Sequence, residues 1–175
     1  MASNDLTGFD AITYCHSMDT LIGVTSKSVV QLFKVDCSSS KLRLLQVHDY
    51  HVGSVSDLSP ALAPEITDVT SCAPFTFMAS LSNSSLCGFD LRAAIDIPTF
   101  RLKIDMRDGF ITCITGTEYC VFAATSSGAI YTFDTRFLMK ANLVRYNDRK
   151  RVRRLLYTPV GLFSAGMLLA TLSCG

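Results

Sequence analysis

The stretch FAATSSGAIYTFDTRF, residues 122–137, decides the fold, because the chain carries it twice. Residues 77–92 read FMASLSNSSLCGFDLR. Both copies open on Phe-x-Ala, pass through a Ser-rich turn and close on Phe-Asp-x-Arg. Asp90 and Asp134 lie 44 residues apart. A third copy lies upstream: VTSKSVVQLFKVD (24–36) aligns with ATSSGAIYTFDTR (124–136), setting Thr25 against Thr125, Ser26 against Ser126 and Phe33 against Phe133. The spacing from Phe33 to Phe89 is 56, longer by 12, and the excess fits the loop DYHVGSVSDLSPALAPE (49–65). Downstream, LLATLSCG (168–175) resembles the opening of the motif. A recurring unit of this length is one supersecondary element that buries its apolar faces only by stacking on its neighbours.

Composition agrees. The 175 residues are 49% hydrophobic and 18% charged, which excludes a disordered chain. Apolar runs rich in Val, Ile, Leu and Phe are punctuated by Gly, Ser, Asn and Asp about every ten residues, the pattern of short strands. A formal net charge of +1 gives no global attraction to nucleic acid or acidic lipid, so any such binding needs a local patch. The seven cysteines, at 15, 37, 72, 87, 113, 120 and 174, are odd in number and form no C-x-x-C pair. They are expected to be buried free thiols, and no metal site is expected. The opening MASNDLTGFD lacks a basic segment followed by an apolar one, so no secretory signal is read. Ala2, where a glycine would be needed, excludes N-myristoylation.

A period in the mid-forties with about four strands per unit predicts an all-β protein, an incomplete β-propeller of the WD-repeat kind with about three and a half blades of four-stranded antiparallel sheets. The expected blades are 9–50, 64–104, 108–147 and a truncated 150–175, with 49–65 inserted. In the third blade the strands read FITCITG (110–116), CVFAATS (120–126), AIYTFDT (129–135) and ANLVRYN (141–147). Gly128 falls in the tight turn of the central hairpin, where positive φ is useful. Asp134 with Arg136, and Asp90 with Arg92, leave their strand ends on one face and form local pairs. With Phe89 and Phe133 these residues are structural markers of the repeat, not a catalytic site. LLATLSCG is expected to match only a second strand, with the chain stopping where a third would begin.

In order along the chain, VVQLFKVD (29–36), GFDLR (88–92), DMRDGFITC (105–113), ATSSGAIYTFDTRF (124–137) and RKRVRRLLYTP (149–159) resemble the WD-repeat domain of the regulatory subunit of class III phosphatidylinositol 3-kinase, over residues 9–172. Generic WD marks are weak: the chain has no Trp and no Gly-His pair, so Phe stands before Asp and the usual Asp–His–Ser–Trp network is not expected. The resemblance implies a non-catalytic scaffold in endosomal sorting and autophagy. It implies a cytoplasmic protein, peripheral on endosomal or autophagic membranes. Its implied partners are the class III phosphatidylinositol 3-kinase catalytic subunit and a Beclin-type coiled-coil subunit. Rab-type GTPases and peripheral acidic membrane are further candidates. The protein-kinase-like domain carried by such subunits is absent, since no Gly-rich loop, H-R-D or D-F-G occurs. The chain then reads as a fragment, a wrongly assembled gene or a split subunit. An unrelated WD-repeat scaffold is the alternative.

RKRVRR (149–154) is the candidate contact patch: Arg149, Lys150, Arg151, Arg153 and Arg154. Removing five positive charges from a net +1 leaves −4 on the rest of the chain. Partner or membrane-surface contact and a merely solvated inter-blade loop both fit. Nucleic acid is not expected, because no aromatic residue interrupts the run for base stacking. The segment 155–175 carries no charge in 21 residues, so a membrane-anchored protein competes. Pro159, Gly161 and Gly166 argue instead for two strands and a turn. His48 and His51 would point to opposite faces of a strand and share no metal. No G-x-S-x-G or phosphate-binding loop appears, and no catalytic residue, cofactor or metal is assigned.

Overall fold

A computed structural model of the chain describes residues 9–25, 29–36, 43–51, 64–93, 98–146, 149–158, 161–165 and 169–172. The first sheet contains β1 (Ala11–Cys15), β2 (Thr20–Val24), β3 (Val29–Asp36) and β4 (Arg43–His51). The second contains β5 (Ile66–Ser71), β6 (Thr76–Leu81), β7 (Ser85–Asp90) and β8 (Phe100–Lys103). The third contains β9 (Ile111–Gly116), β10 (Cys120–Thr125), β11 (Ala129–Asp134) and β12 (Met139–Arg145). The fourth contains β13 (Arg154–Thr158), β14 (Gly161–Ala165) and β15 (Leu169–Leu172). Each is an antiparallel meander in chain order. The first strands β1, β5, β9 and β13 pack side by side in that order and link the sheets. The protein is all-β, built of blades of the propeller kind.

The middle strands of the second and third blades are apolar almost throughout because each of these blades packs between two others. Alternation still sorts them by side. On β10, Val121 and Ala123 face the second blade, while Phe122 and Ala124 face the fourth. On β6, Phe77, Ala79 and Leu81 face the first blade and Met78 the third. Three apolar layers result, one per blade junction, each with ring stacks such as Phe77 on Phe89, centroids 5.0 Å apart. β12 lies outermost and is largely exposed, which explains its Lys, Asn and Arg. A Cβ at Gly88 on β7 would lie 2.3 Å from the edge of the Phe100 ring, so a larger residue there would displace that ring.

Register corrects one detail of the repeat. The two Phe-x-Ala openings are not equivalent. Phe77 pairs with Phe89, and the residue paired with Phe133 is Val121, not Phe122. Sequence likeness had slipped by one residue, which in a strand exchanges the two faces. The outer strand of the third blade also begins two residues earlier than ANLVRYN, at Met139, because β11 pairs back immediately after the turn (Asp134↔Met139).

The uncharged segment after the basic run differs more. It forms three strands where two were expected. Thr158 pairs with Gly161, so GLFSA, whose small residues read as a loop, is the second strand. LATL, expected as the second, is the third. No helix among the described residues is long and apolar enough to cross a membrane. Residues 49–51, read as part of the inserted loop, lie in β4, and 52–63 fall outside the described residues. His48 and His51 both lie on β4. No group of three or more His, Cys, Asp or Glu among the described residues is placed to hold a metal.

Candidate interaction surfaces

In a meander, the turns joining strands one to two and three to four share one rim; the remaining connections share the other. On the first rim the repeat markers form a recurring device. Arg92 donates from its backbone N–H to Asp90 Oδ1 (2.9 Å), and its guanidinium meets the same carboxylate at 2.7 Å. Arg136 and Asp134 repeat both bonds at 2.9 and 2.7 Å. The Arg side chain, aided by the backbone N–H, holds each carboxyl down to about 2. Each guanidinium also lies over a ring from the first turn of its blade: Arg92 over Phe75 at 4.8 Å, Arg136 over Tyr119 at 5.2 Å. Phe75 and Tyr119 are themselves 44 residues apart. Sequence reading found the Asp and Arg but not the ring, although its spacing could have revealed it. Tyr119 (49% exposed) and Phe137 (69%) flank Arg136 and leave aromatic surface open on this rim.

A second device was missed. Asp105 and Arg107 repeat the Asp-x-Arg pair at 2.6 Å, now capping a 3₁₀ turn over Met106–Asp108. That turn delivers Asp108 into the third blade. Buried Asp108 accepts from the Tyr131 hydroxyl, and Arg145 reaches it with Nε at 2.8 Å and Nη2 at 2.9 Å. Arg145, partly offset by burial, depresses the Asp108 carboxyl. Burial, then the bond to Asp108, pushes the Tyr131 hydroxyl up to about 12. An Asp–Tyr–Arg network thus ties a loop to two strands in a chain without Gly-His or Trp.

The opposite rim carries the basic run. Its backbone is fixed from three sides. Val152 is buried between the third and fourth blades, its N–H donating to Thr125 O (3.3 Å) and its carbonyl accepting from Thr112 Oγ1 (2.6 Å). Arg149 turns the chain at φ 47°. Gly128, at φ 81°, packs beneath Lys150, whose carbonyl oxygen would lie 2.9 Å from an added Cβ. With Val152 buried, Arg149, Lys150, Arg151, Arg153 and Arg154 all remain exposed. The Arg151 guanidinium lies over the Phe110 ring at 5.6 Å.

Arg151, Arg153 and Arg154 line a cleft of about 430 Å³, with Asp68 on β5, Thr112 on β9 and Asp10 just before β1. Asp68 receives Ile114 N–H on Oδ2 and Val69 N–H on Oδ1, both at 2.9 Å. Burial raises its carboxyl, while those bonds and the charge of Arg154 oppose the rise. The basic run therefore borders the inner strands on the rim that also carries Gly128, whereas Asp90, Arg92, Asp134 and Arg136 lie on the other rim and Phe89 and Phe133 inside the blade junctions. Of the described cysteines, Cys15, Cys87 and Cys113 are buried free thiols.

Blades linked through their first strands define a propeller-type fold, and solved structures agree. The chain is similar to Chaetomium thermophilum Raptor, with a TM-score of 0.67 at 13% identity over 93% of this chain. It is also similar to a chain of the mitotic checkpoint complex, with a TM-score of 0.65 at 12% identity over 94% of this chain. Both contain WD-repeat propellers. The chain spans 14% and 46% of the lengths of those two proteins. At such identities the likeness shows the fold alone. No family model matches the sequence.

Proposed function

We propose that this chain is a non-catalytic protein-interaction scaffold, one that serves in a class III phosphatidylinositol 3-kinase complex as part of its regulatory subunit. The observation that carries the scaffold reading is the division of labour between interior and rims. Blade junctions are apolar and closed, while both rims present Arg and aromatic side chains on backbone fixed by hydrogen bonds. Rigid blades bearing exposed loops recognise partners without chemistry. Asp68, Asp90, Asp108 and Asp134 are engaged by arginines or backbone N–H groups, as corner pins require.

The finer assignment is supported by the order of the motifs from VVQLFKVD to RKRVRRLLYTP. On this reading the chain docks the lipid-kinase catalytic subunit and a Beclin-type coiled-coil subunit on endosomal or autophagic membranes. Rab-type GTPases are further candidates as partners. Immunoprecipitation with an antibody to residues 140–155, read by mass spectrometry, tests it. Recovery of a lipid kinase together with a coiled-coil partner is expected. Recovery of other propeller-bound assemblies without either would leave a WD-repeat scaffold of another complex.

A further inference from the structure

We infer that the cleft between Arg151, Arg153 and Arg154 and the inner strands β5 and β9 is a docking site for an acidic linear peptide from a partner protein. This inference rests on the scaffold reading and names the partner chemistry. Two sets of arginines among the described residues differ. Arg92, Arg107, Arg136 and Arg145 each hold an aspartate within 2.8 Å. Arg151, Arg153 and Arg154 form no ion pair with any carboxylate among the described residues, although Asp68 and Asp10 line the same cleft. Both oxygens of Asp68 are taken by backbone N–H groups. Three guanidiniums with bidentate capacity are therefore open to an incoming carboxylate.

The site is also preorganised. Val152 is bonded through its N–H and carbonyl, and Arg154 pairs with Ala165 in the fourth sheet, so the chain between the arginines is held on both sides. A volume of about 430 Å³ accommodates a short peptide segment. Charge favours a peptide over a lipid surface. A membrane calls for a projecting basic face with apolar residues to insert. Here the arginines border a recess that contains two aspartates, and the apolar residue among them, Val152, is buried. The three arginines outnumber the two aspartates, and both oxygens of Asp68 are already occupied, so the recess stays cationic toward a peptide carboxylate that can enter it.

Fluorescence anisotropy on the whole chain tests this, using a fluorescein-labelled Gly-Ser peptide with a central run of glutamates. A matching lysine peptide and vesicles of phosphatidylcholine with phosphatidylserine are the comparators. The glutamate peptide alone is expected to bind. Arg151→Gln/Arg153→Gln should weaken it about tenfold, the loss of charge-assisted bonds. Arg149→Gln/Lys150→Gln, which removes the same charge outside the cleft, should weaken it less than about threefold. Circular dichroism confirms that both variants fold. Equal losses in the two variants, binding of the lysine peptide, binding to vesicles alone, or no binding would each overturn the inference. Immunoprecipitation of the parent chain is scored separately. No peptide binding by the parent chain with a lipid kinase recovered refutes the cleft only; peptide binding by the parent chain without the kinase refutes the complex assignment only.

Discussion

Replacing Gly128 by alanine should cost about 2–3 kcal/mol, combining a left-handed backbone penalty of about 1–2 kcal/mol with a forced displacement. The residue sits at φ 81° in the turn between β10 and β11. An added Cβ would lie 2.9 Å from the Lys150 carbonyl oxygen and 3.3 Å from its nitrogen, both backbone atoms that yield only if the loop moves. The equivalent turn of the second blade supplies an internal comparison. Ser84, 44 residues earlier, occupies the same left-handed region at φ 64° with its hydroxyl on the Gly109 carbonyl (3.3 Å). Ser84→Gly relieves backbone strain but loses that bond, so its net change should stay within about 1 kcal/mol. Urea unfolding followed by tyrosine fluorescence and far-UV circular dichroism measures both, since the chain has six Tyr and no Trp. A Gly128→Ala loss below about 0.5 kcal/mol would refute the argument that this turn requires glycine.

Phe89→Ala, which removes a ring stacked on Phe77 in the first blade junction, should cost about 3–5 kcal/mol in the same unfolding assay. Asp90 and Asp134, held at about 2 against an ordinary 3.8, contribute stability that is full above the ordinary carboxylate range and is lost as pH falls through about 2. The double variant Asp90→Asn/Asp134→Asn should therefore show a flatter fall in Tm between those pH values than the parent chain, read by thermal melts across acid pH. Burial pushes the thiols of Cys72 and Cys113 up to about 11, so at mildly alkaline pH their alkylation in the native protein should be at least about a hundredfold slower than after denaturation, measured by mass spectrometry of labelled peptides.

The repeat made most of the architecture legible. Phe89-Asp90-x-Arg92 and Phe133-Asp134-x-Arg136 set the blade period, and Gly128 marked the central hairpin, because turn chemistry and strand alternation are local properties. Register was not local. Phe77 and Phe122 look alike in sequence yet face different blades, and only cross-strand pairing separates them. The second strand of the last sheet was hidden for a related reason: Gly161, Ser164 and Ala165 carry weak strand propensity, and their pairing with β13 overrides it.

Sequence alone determined the all-β class, the blade length, the corner pairs and the presence of a concentrated basic run. These follow from periodicity and from interactions between residues a few positions apart. Tertiary structure decided what that run faces. Val152 is buried against Cys113, Phe122 and Leu162, and Thr112 anchors its carbonyl, so Arg151, Arg153 and Arg154 come to share a cleft with Asp68 and Asp10. It likewise built the Asp108–Tyr131–Arg145 network from residues up to 37 positions apart. Both depend on strands from different blades or different ends of one blade meeting in space, which residue spacing along the chain does not encode.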